Sequence, residues 1–203
     1  MNAMKSRPLA SLLFGLALAV AATPAFAEKY RVDLIVFIDK NATGGETTLP
    51  AQIPPTAGSV ELGNEAALKS AGITVLPETA FGLKDAWSKL KNSKRFQPVI
   101  ALAWVQDNPP TERGPSLHLR WGTPFVRNTA AGSDTLFPID GTVALLLQRY
   151  LHVDADLVFT VPRVDGSVGS YHLKEKRRMK RDELHHIDAP RFGILTEVSK
   201  PAA

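Results

Sequence analysis

Two stretches in the C-terminal third concentrate side chains that could bind a ligand through charge and aromatic rings. Residues 149–157 mix Arg, Tyr, His and Asp with apolar residues at strand spacing, and residues 177–190 join a basic run to two adjacent histidines. Arg can form paired hydrogen bonds with a carboxylate, and an aromatic ring face can pack on a sugar ring. We therefore expect a surface suited to an anionic, sugar-rich ligand. The candidate ligand-binding residues are Arg149, Tyr150, His152, Arg177, Arg178, Arg181, His185 and His186.

The basic run at residues 174–181 has two further interpretations. It holds six Lys and Arg residues, and a charged run usually forms a solvated face. Asp182, Glu183 and Asp188 follow closely, so they can form salt bridges to the neighbouring arginines. A tight network of His, Asp and Arg can also hold the end of a sheet together. On the residues alone, a ligand surface, a solvated face and a buried network all stay open.

The five histidines do not show the spacing of a metal site. His185 and His186 are adjacent, so they point to opposite faces of a strand or diverge by about 100° on a helix. His118, His152 and His172 lack a helical i, i+4 partner. The chain also has no cysteine, no Gly-x-Ser-x-Gly and no phosphate-binding Gly-rich loop. The sequence therefore predicts no metal, no cofactor and no catalytic residue. A metallohydrolase that uses His152, His185 or His186 is the minor alternative.

The first 27 residues are typical of a signal peptide. Lys5 and Arg7 precede an apolar run at residues 9–22, and a small-residue cleavage site ends at Ala27. The alternative is an uncleaved anchor, because residues 8–27 form an uncharged stretch close to the roughly 20 residues that span a bilayer. We expect cleavage after Ala27, export to the periplasm and no membrane anchor afterwards.

Composition predicts one domain at residues 28–203. A chain of this size buries roughly 70% of the surface that its unfolded form exposes, so it can fold without disulfides. The chain has no cysteine and therefore forms none. Removing Lys5 and Arg7 leaves 22 basic against 20 acidic residues. This balance is too even to predict a nucleic-acid partner.

Hydrophobic periodicity predicts an α+β fold with a mainly antiparallel sheet of about seven strands and one or two helices packed on it. The predicted strands are residues 30–38, 97–106, 117–121, 142–147, 150–160, 171–178 and 192–198. The first of these is apolar on both faces, which indicates an interior strand.

Two helices and two loops complete the prediction. The main helix spans residues 79–94 with Thr79 as its N-cap, and a shorter one spans residues 64–71. In the main helix, Trp87 is interpreted as a core residue. Residues 39–60 form a long loop with Pro and Gly, and residues 128–134 form a loop of small residues.

Several blocks of the chain resemble the CsiV family of periplasmic peptidoglycan-binding proteins. A signal peptide is followed by Tyr-Arg-Val-Asp-Leu-Ile-Val-Phe at residues 30–37 and Pro-Val-Ile-Ala-Leu-Ala-Trp-Val-Gln at residues 98–106. The later blocks are Gly141-Thr-Val, Arg149-Tyr-Leu-His-Val with Asp156-Leu157, Arg177-Arg-Met, Glu183-Leu-His-His-Ile-Asp, Pro190 and Gly193.

The resemblance implies a non-catalytic accessory factor that binds peptidoglycan. It also implies that the factor supports a bifunctional penicillin-binding protein, directly or through that enzyme's outer-membrane lipoprotein activator. The alternative is a cell-envelope protein–protein adaptor that does not contact peptidoglycan and docks through the loop at residues 39–60.

Overall fold

The computed structural model describes residues 28–44, 56–129, 132–165 and 167–201. The predicted signal peptide and residues 45–55 of the predicted long loop lie outside these ranges. The α-helices are α1 (Glu65–Ser70) and α2 (Lys84–Lys91). The strands are β1 (Lys29–Asp39), β2 (Val60–Glu61), β3 (Ile73–Val75), β4 (Phe96–Asp107), β5 (Leu117–Trp121), β6 (Phe125–Thr129), β7 (Gly132–Leu136), β8 (Ile139–Leu147), β9 (Leu151–Pro162), β10 (Val168–Arg178), β11 (Leu184–Asp188) and β12 (Phe192–Ser199).

The described strands form two five-stranded sheets and a separate hairpin. Sheet 1 has the order β11-β12-β1-β4-β3, sheet 2 has the order β10-β9-β8-β5-β2, and β6 pairs with β7. The pairings are antiparallel except that β2 runs parallel to β5. The mainly antiparallel arrangement with two short helices agrees with the predicted class. The prediction of about seven strands in one sheet is wrong, because the described residues form twelve strands in three sheets.

The core lies between the two large sheets. Alternate side chains of β1, such as Val32 and Leu34, share one buried cluster with Leu119 and Leu157 of sheet 2. Each of these four side chains is fully buried. Burying a Val or Leu side chain contributes about 1.5–3 kcal/mol, so this interlayer contact holds the two sheets face to face.

The second face of β1 is also covered, as its apolar pattern predicted. Ile35 is buried together with Phe81, and Trp87 of α2 packs against them. Trp87 is half-buried and packs against this cluster, which agrees with its interpretation as a packing residue. The layers run from α2 through sheet 1 to sheet 2, and the far side of sheet 2 carries no helix of the described residues.

The predicted helix at residues 79–94 is wrong at its start. A 3₁₀ turn occupies Glu78–Ala80, and α2 begins only at Lys84, without a side-chain cap. The residue between them, Phe81, is extended with φ −59° and ψ 126°.

A buried ion pair explains this late start. Asp33 of β1, which is 5% exposed, accepts the Gly82 N–H at 2.6 Å and pairs with Arg31 through Nε at 2.6 Å and Nη2 at 2.9 Å. Arg31 in turn donates to the Ala80 carbonyl. The backbone groups that a continuous helix would use are therefore satisfied by sheet 1.

The shorter helix agrees with its prediction. Asn64 is the N-cap of α1 and accepts the Ala67 N–H at 3.1 Å. Gly72 follows with φ +66°, a conformation that glycine adopts readily and that ends the helix.

Two segments outside the predicted strands form strands. The predicted loop at residues 128–134 is replaced by the hairpin of β6 and β7, and residues 184–188, which lie outside every predicted strand, form β11 at the edge of sheet 1. The strands in both segments pair through backbone hydrogen bonds. Polar residues form these bonds as well as apolar residues do, so a polar segment can also be a strand. Within the described residues, no helix is long and apolar enough to cross a membrane.

Candidate functional site

The side of sheet 2 that faces away from sheet 1 is an ordered polar surface, which we call the polar face. Along β9, buried apolar residues alternate with the partly exposed His152, Asp154 and Asp156. The antiparallel register sets Asp154 opposite Lys176, and Asp156 opposite Lys174 of β10. Successive side chains of a strand point to opposite faces, so one face of β9 and β10 packs in the core and the other presents charge.

Asp156 is the centre of one charged cluster on the polar face. One of its carboxylate oxygens lies 2.6 Å from His172 Nε2, and the other lies 2.9 Å from Lys174 Nζ. Burial raises the pKa of this carboxyl, but hydrogen bonds from His172 and Lys174 outweigh burial and leave the pKa below its ordinary value. Asp156 is therefore held as a carboxylate between His172 and Lys174.

A second cluster surrounds His118 of β5. Its ring is 8% exposed, with Nδ1 2.6 Å from Glu61 and Nε2 2.7 Å from Asp140. Arg120 also donates to Glu61 at 2.6 Å. The hydrogen bond with His118, together with Arg120, lowers the pKa of Glu61. Both ring nitrogens of His118 are occupied, so this histidine joins β2, β5 and β8 rather than offering a ligand site.

A shallow groove of about 440 Å³ crosses the polar face. Small side chains, Thr142 and Ala144 of β8, line it together with Asp154, Asp156 and Lys174. The groove is therefore polar and carries both signs of charge.

At one end of the polar face, two guanidinium groups lie close to one aromatic ring. Arg178, at the end of β10, lies 3.4 Å from the centre of the Tyr150 ring, and Arg149 lies 5.5 Å from it. Tyr150 is 40% exposed, in the turn between β8 and β9. Cation–π contacts of this kind contribute about 0.5–2 kcal/mol. We call Arg149, Tyr150 and Arg178 the guanidinium stack.

The guanidinium stack is open to a ligand carboxylate. Among the described residues, no ion pair joins Arg149 or Arg178 to an acidic side chain. A guanidinium packed flat on a ring still presents its N–H edge, which can form two parallel hydrogen bonds with a carboxylate. Beside the stack, His152 Nδ1 lies 2.9 Å from the Tyr150 carbonyl oxygen. Four of the eight candidate residues therefore lie together.

The other four candidates do not join them. Arg177 lies on the opposite side of β10, with its Nε 2.7 Å from Glu175. Arg181 follows β10, and its backbone forms an isolated β-bridge with Val198 of sheet 1. His185 and His186 lie on β11 of sheet 1. The structure therefore does not bring all eight residues together on one surface: Arg177 points to the opposite face of β10, and the other three lie beside or on sheet 1.

The two adjacent histidines are separated as their spacing predicted. His185 Nε2 accepts the Lys180 N–H at 3.1 Å. The His186 ring lies 5.6 Å from the ring of Phe37, on the face of sheet 1 that points away from sheet 2. Within the described ranges, no group of three or more His, Asp or Glu side chains is arranged so that it could hold a metal ion.

The predicted salt bridges of the basic run also need correction. Arg177 pairs with Glu175 rather than with the acids that follow it, and Glu183 pairs with Lys180 at 3.2 Å. Arg178 and Arg181 are exposed. The alternative of a buried network is therefore wrong for these two arginines.

Sequence reasoning missed the charged side chains that fill the polar face. Asp154, Asp156, His172, Lys174 and Lys176 all belong to it. The signal was present as alternation of polar and apolar residues at 152–157 and 172–178. Their mutual contacts depend on the register of β9 with β10, which periodicity alone does not specify.

The chain matches the family model described as "Peptidoglycan-binding protein, CsiV" over residues 9–201. The match covers nearly the whole sequence, so the chain belongs to the CsiV family of peptidoglycan-binding proteins, as the resemblance implied. No solved structure matches it.

Proposed function

We propose that this chain is a non-catalytic periplasmic accessory factor that binds peptidoglycan through the polar face of sheet 2. Membership of a peptidoglycan-binding family is the observation that carries the proposal. Peptidoglycan is periplasmic in cells with two membranes, and the leader at residues 1–27 is typical of export to that compartment.

The chemistry of the polar face suits the peptide part of the polymer. Stem peptides of peptidoglycan carry free carboxylates, and many also carry a free amine. Arg149 and Arg178 offer N–H edges to a carboxylate, and the acids of the groove, Asp154 among them, can accept hydrogen bonds from an amine. Tyr150, which both guanidinium groups approach, adds an exposed ring.

The accessory role follows from the resemblance described above. We propose that the bound factor supports a bifunctional penicillin-binding protein, directly or through its outer-membrane lipoprotein activator. Cross-linking in cells is the test of this part. Capture of the synthase or its activator, together with retention on sacculi, is the expected result. Capture without retention on sacculi would instead favour the adaptor alternative.

Retention on purified sacculi tests the binding itself. The full chain is expressed with its leader and purified from the periplasm, and its mass distinguishes cleavage after Ala27 from an uncleaved anchor. We expect the protein to sediment with sacculi, and less of it at raised ionic strength, because salt screens exposed charges. Retention no greater than that of an unrelated periplasmic protein would overturn the proposal.

A matched pair of variants tests the surface. The double variant Arg149→Ala/Arg178→Ala removes both guanidinium groups of the stack, and we expect clearly weaker retention. Arg177→Ala removes an adjacent cation on the other side of β10, so retention should stay at the wild-type level. Equal loss in both variants would contradict a specific role for the guanidinium stack.

A further inference from the structure

A second concave surface lies at one end of sheet 1, away from the polar face. Its volume is about 420 Å³, within the range of about 300–1,000 Å³ common for small-molecule sites. Its lining includes side chains from β1, β4 and β11 and from the residues that flank them. We call it the aromatic groove, and its principal side chains are Phe37, Asp39, Arg95, Phe96, His186 and Asp188.

Three rings give the aromatic groove its apolar wall. Phe37 and Phe96 pack edge to face with centroids 5.4 Å apart, and His186 tilts over Phe37 at 5.6 Å. Phe37 is buried, Phe96 is half-buried and His186 is exposed. In this wall, Phe37 is therefore held in place by its packing, and His186 is the ring that is accessible to a ligand.

Gly193 of β12 helps to fix the base of this wall. A Cβ at this position would lie 2.9 Å from Phe37 Cζ and 2.9 Å from the Ile187 carbonyl oxygen. The absence of a side chain at Gly193 therefore allows the Phe37 ring to lie against the backbone of β12.

The charges beside this wall are largely compensated. Arg95 donates to both oxygens of Asp39, with Nη2 at 2.6 Å and Nε at 2.9 Å from Oδ2. Asp39 also accepts the backbone N–H groups of Asn41 and Ala42. The hydrogen bond from Arg95 lowers the pKa of Asp39, so this carboxyl is ionised and neutralises the guanidinium.

The remaining charge of the aromatic groove is negative. Asp188 is exposed, and no described residue forms an ion pair with it. The groove therefore presents an unpaired carboxylate, in contrast to the guanidinium stack on the polar face. It still offers the free edge of Arg95, the Asp188 oxygens and the His186 ring nitrogens as hydrogen-bonding groups.

We propose that the aromatic groove binds a neutral N-acetylated amino sugar of the glycan strand, with its apolar face or acetamido methyl group against the rings. This inference rests on the proposed function and assigns the glycan and the peptide parts of the polymer to different surfaces. A neutral sugar ring presents C–H groups on one face and hydroxyl groups at its edge. That pattern matches an aromatic wall bordered by a paired Arg–Asp and a free carboxylate.

Binding of chitotetraose, a β-1,4-linked tetramer of N-acetylglucosamine, tests the proposal with a probe that has no charge. The periplasmically purified chain is titrated and followed by ¹H–¹⁵N NMR and by calorimetry. We expect chemical-shift changes at residues of the aromatic groove, and no comparable changes at Tyr150 or Arg178. A free stem tripeptide is titrated in parallel and should not perturb the aromatic groove.

Variants of exposed residues identify the site. His186→Ala and Asp188→Ala should each weaken chitotetraose binding about tenfold, equivalent to about 1.4 kcal/mol. Leu184→Ala is the control, because Leu184 lies on the same face of β11 but outside the groove and is 50% exposed. Its affinity should match that of the wild type, and thermal unfolding of all three variants checks that the fold is kept.

The outcomes separate this inference from the proposed function. The inference is overturned if chitotetraose causes no shifts at the groove, if the tripeptide perturbs it instead, or if both groove variants bind as the wild type does. Retention on sacculi is measured on the same samples. If the wild-type protein is retained on sacculi but does not bind chitotetraose, the amino-sugar site is refuted and peptidoglycan binding is not. If the wild-type protein is not retained on sacculi, the proposed function itself is refuted.

Discussion

The substitution Gly141→Ala should strongly destabilise the fold. Gly141 lies inside β8 with φ +146°, a conformation that L-residues with a side chain rarely adopt. It pairs with Leu119 of β5 and Leu157 of β9. A Cβ at position 141 would lie 2.1 Å from the Asp156 carbonyl oxygen and 2.8 Å from the Leu157 Cα. Both neighbours are backbone atoms in the middle of sheet 2, so neither can move without disturbing the strand pairing.

Two costs determine the magnitude. An unfavourable backbone conformation costs about 1–3 kcal/mol, and forcing extra volume into a packed site typically costs about 1–3 kcal/mol. We therefore expect the free energy of unfolding to fall by the sum of the two costs, about 2–6 kcal/mol, a large part of the roughly 5–15 kcal/mol typical of a folded domain.

Two other glycines allow the costs to be separated. Gly132 has φ +135°, but a Cβ there would meet nothing within 4 Å. Gly132→Ala should therefore lower the free energy of unfolding only by the cost of the unfavourable backbone conformation. Gly63 has neither a positive φ nor a neighbour within 4 Å, so Gly63→Ala should be close to neutral. Urea unfolding followed by far-UV circular dichroism measures all three. A Gly141→Ala variant within about 1 kcal/mol of Gly132→Ala would refute the reasoning, because overpacking alone is expected to cost at least that much.

Two predictions concern the pH dependence of stability. The hydrogen bond from Arg95 lowers the pKa of Asp39 below its ordinary value of 3.8, so the pair stabilises the fold above that pH and loses its effect as the pH falls through the lower native value. The free energy of unfolding, measured with urea at several acidic pH values, should fall less steeply with decreasing pH in Asp39→Asn than in the wild type. Asp188→Asn should show the same dependence as the wild type. Equal dependence on pH in the wild type and Asp39→Asn would contradict the assignment. Burial and the hydrogen bond to Glu28 raise the pKa of Tyr30 from 10.0 to about 12, so its contribution is complete below pH 10.0 and disappears as the pH rises through about 12. Ultraviolet titration of the wild type against Tyr30→Phe measures this ionisation, and a Tyr30 pKa near 10.0 would show that the hydroxyl is not held as described.

A short alternating strand and a short helix could be predicted from the sequence. The strand at residues 117–121 coincides with β5, and α1 lies within the predicted helix at residues 64–71. Such features depend on neighbours within a few residues. The start of α2 could not be predicted in the same way, because it depends on a hydrogen bond from Gly82 to Asp33, a residue 49 positions earlier.

The candidate site was predicted only in part, for a related reason. Residues 149–152 lie in a single turn and strand start, so their proximity is local. Arg178 reaches Tyr150 only through the pairing of β9 with β10. The aromatic groove was missed because Phe37, Phe96 and His186 come from three strands that are far apart in the chain. His186 alone was identified, and on different grounds.

The central position of β1 has a consequence for the order of folding. It pairs with β4 on one side and with β12 on the other, and the second pairing sets Arg31 opposite Ser199. Sheet 1 therefore cannot close until the last strand is available. Contacts between such distant residues slow folding, because a long loop must close before they form. A chain that lacks β12 would leave one edge of its central strand β1 unpaired.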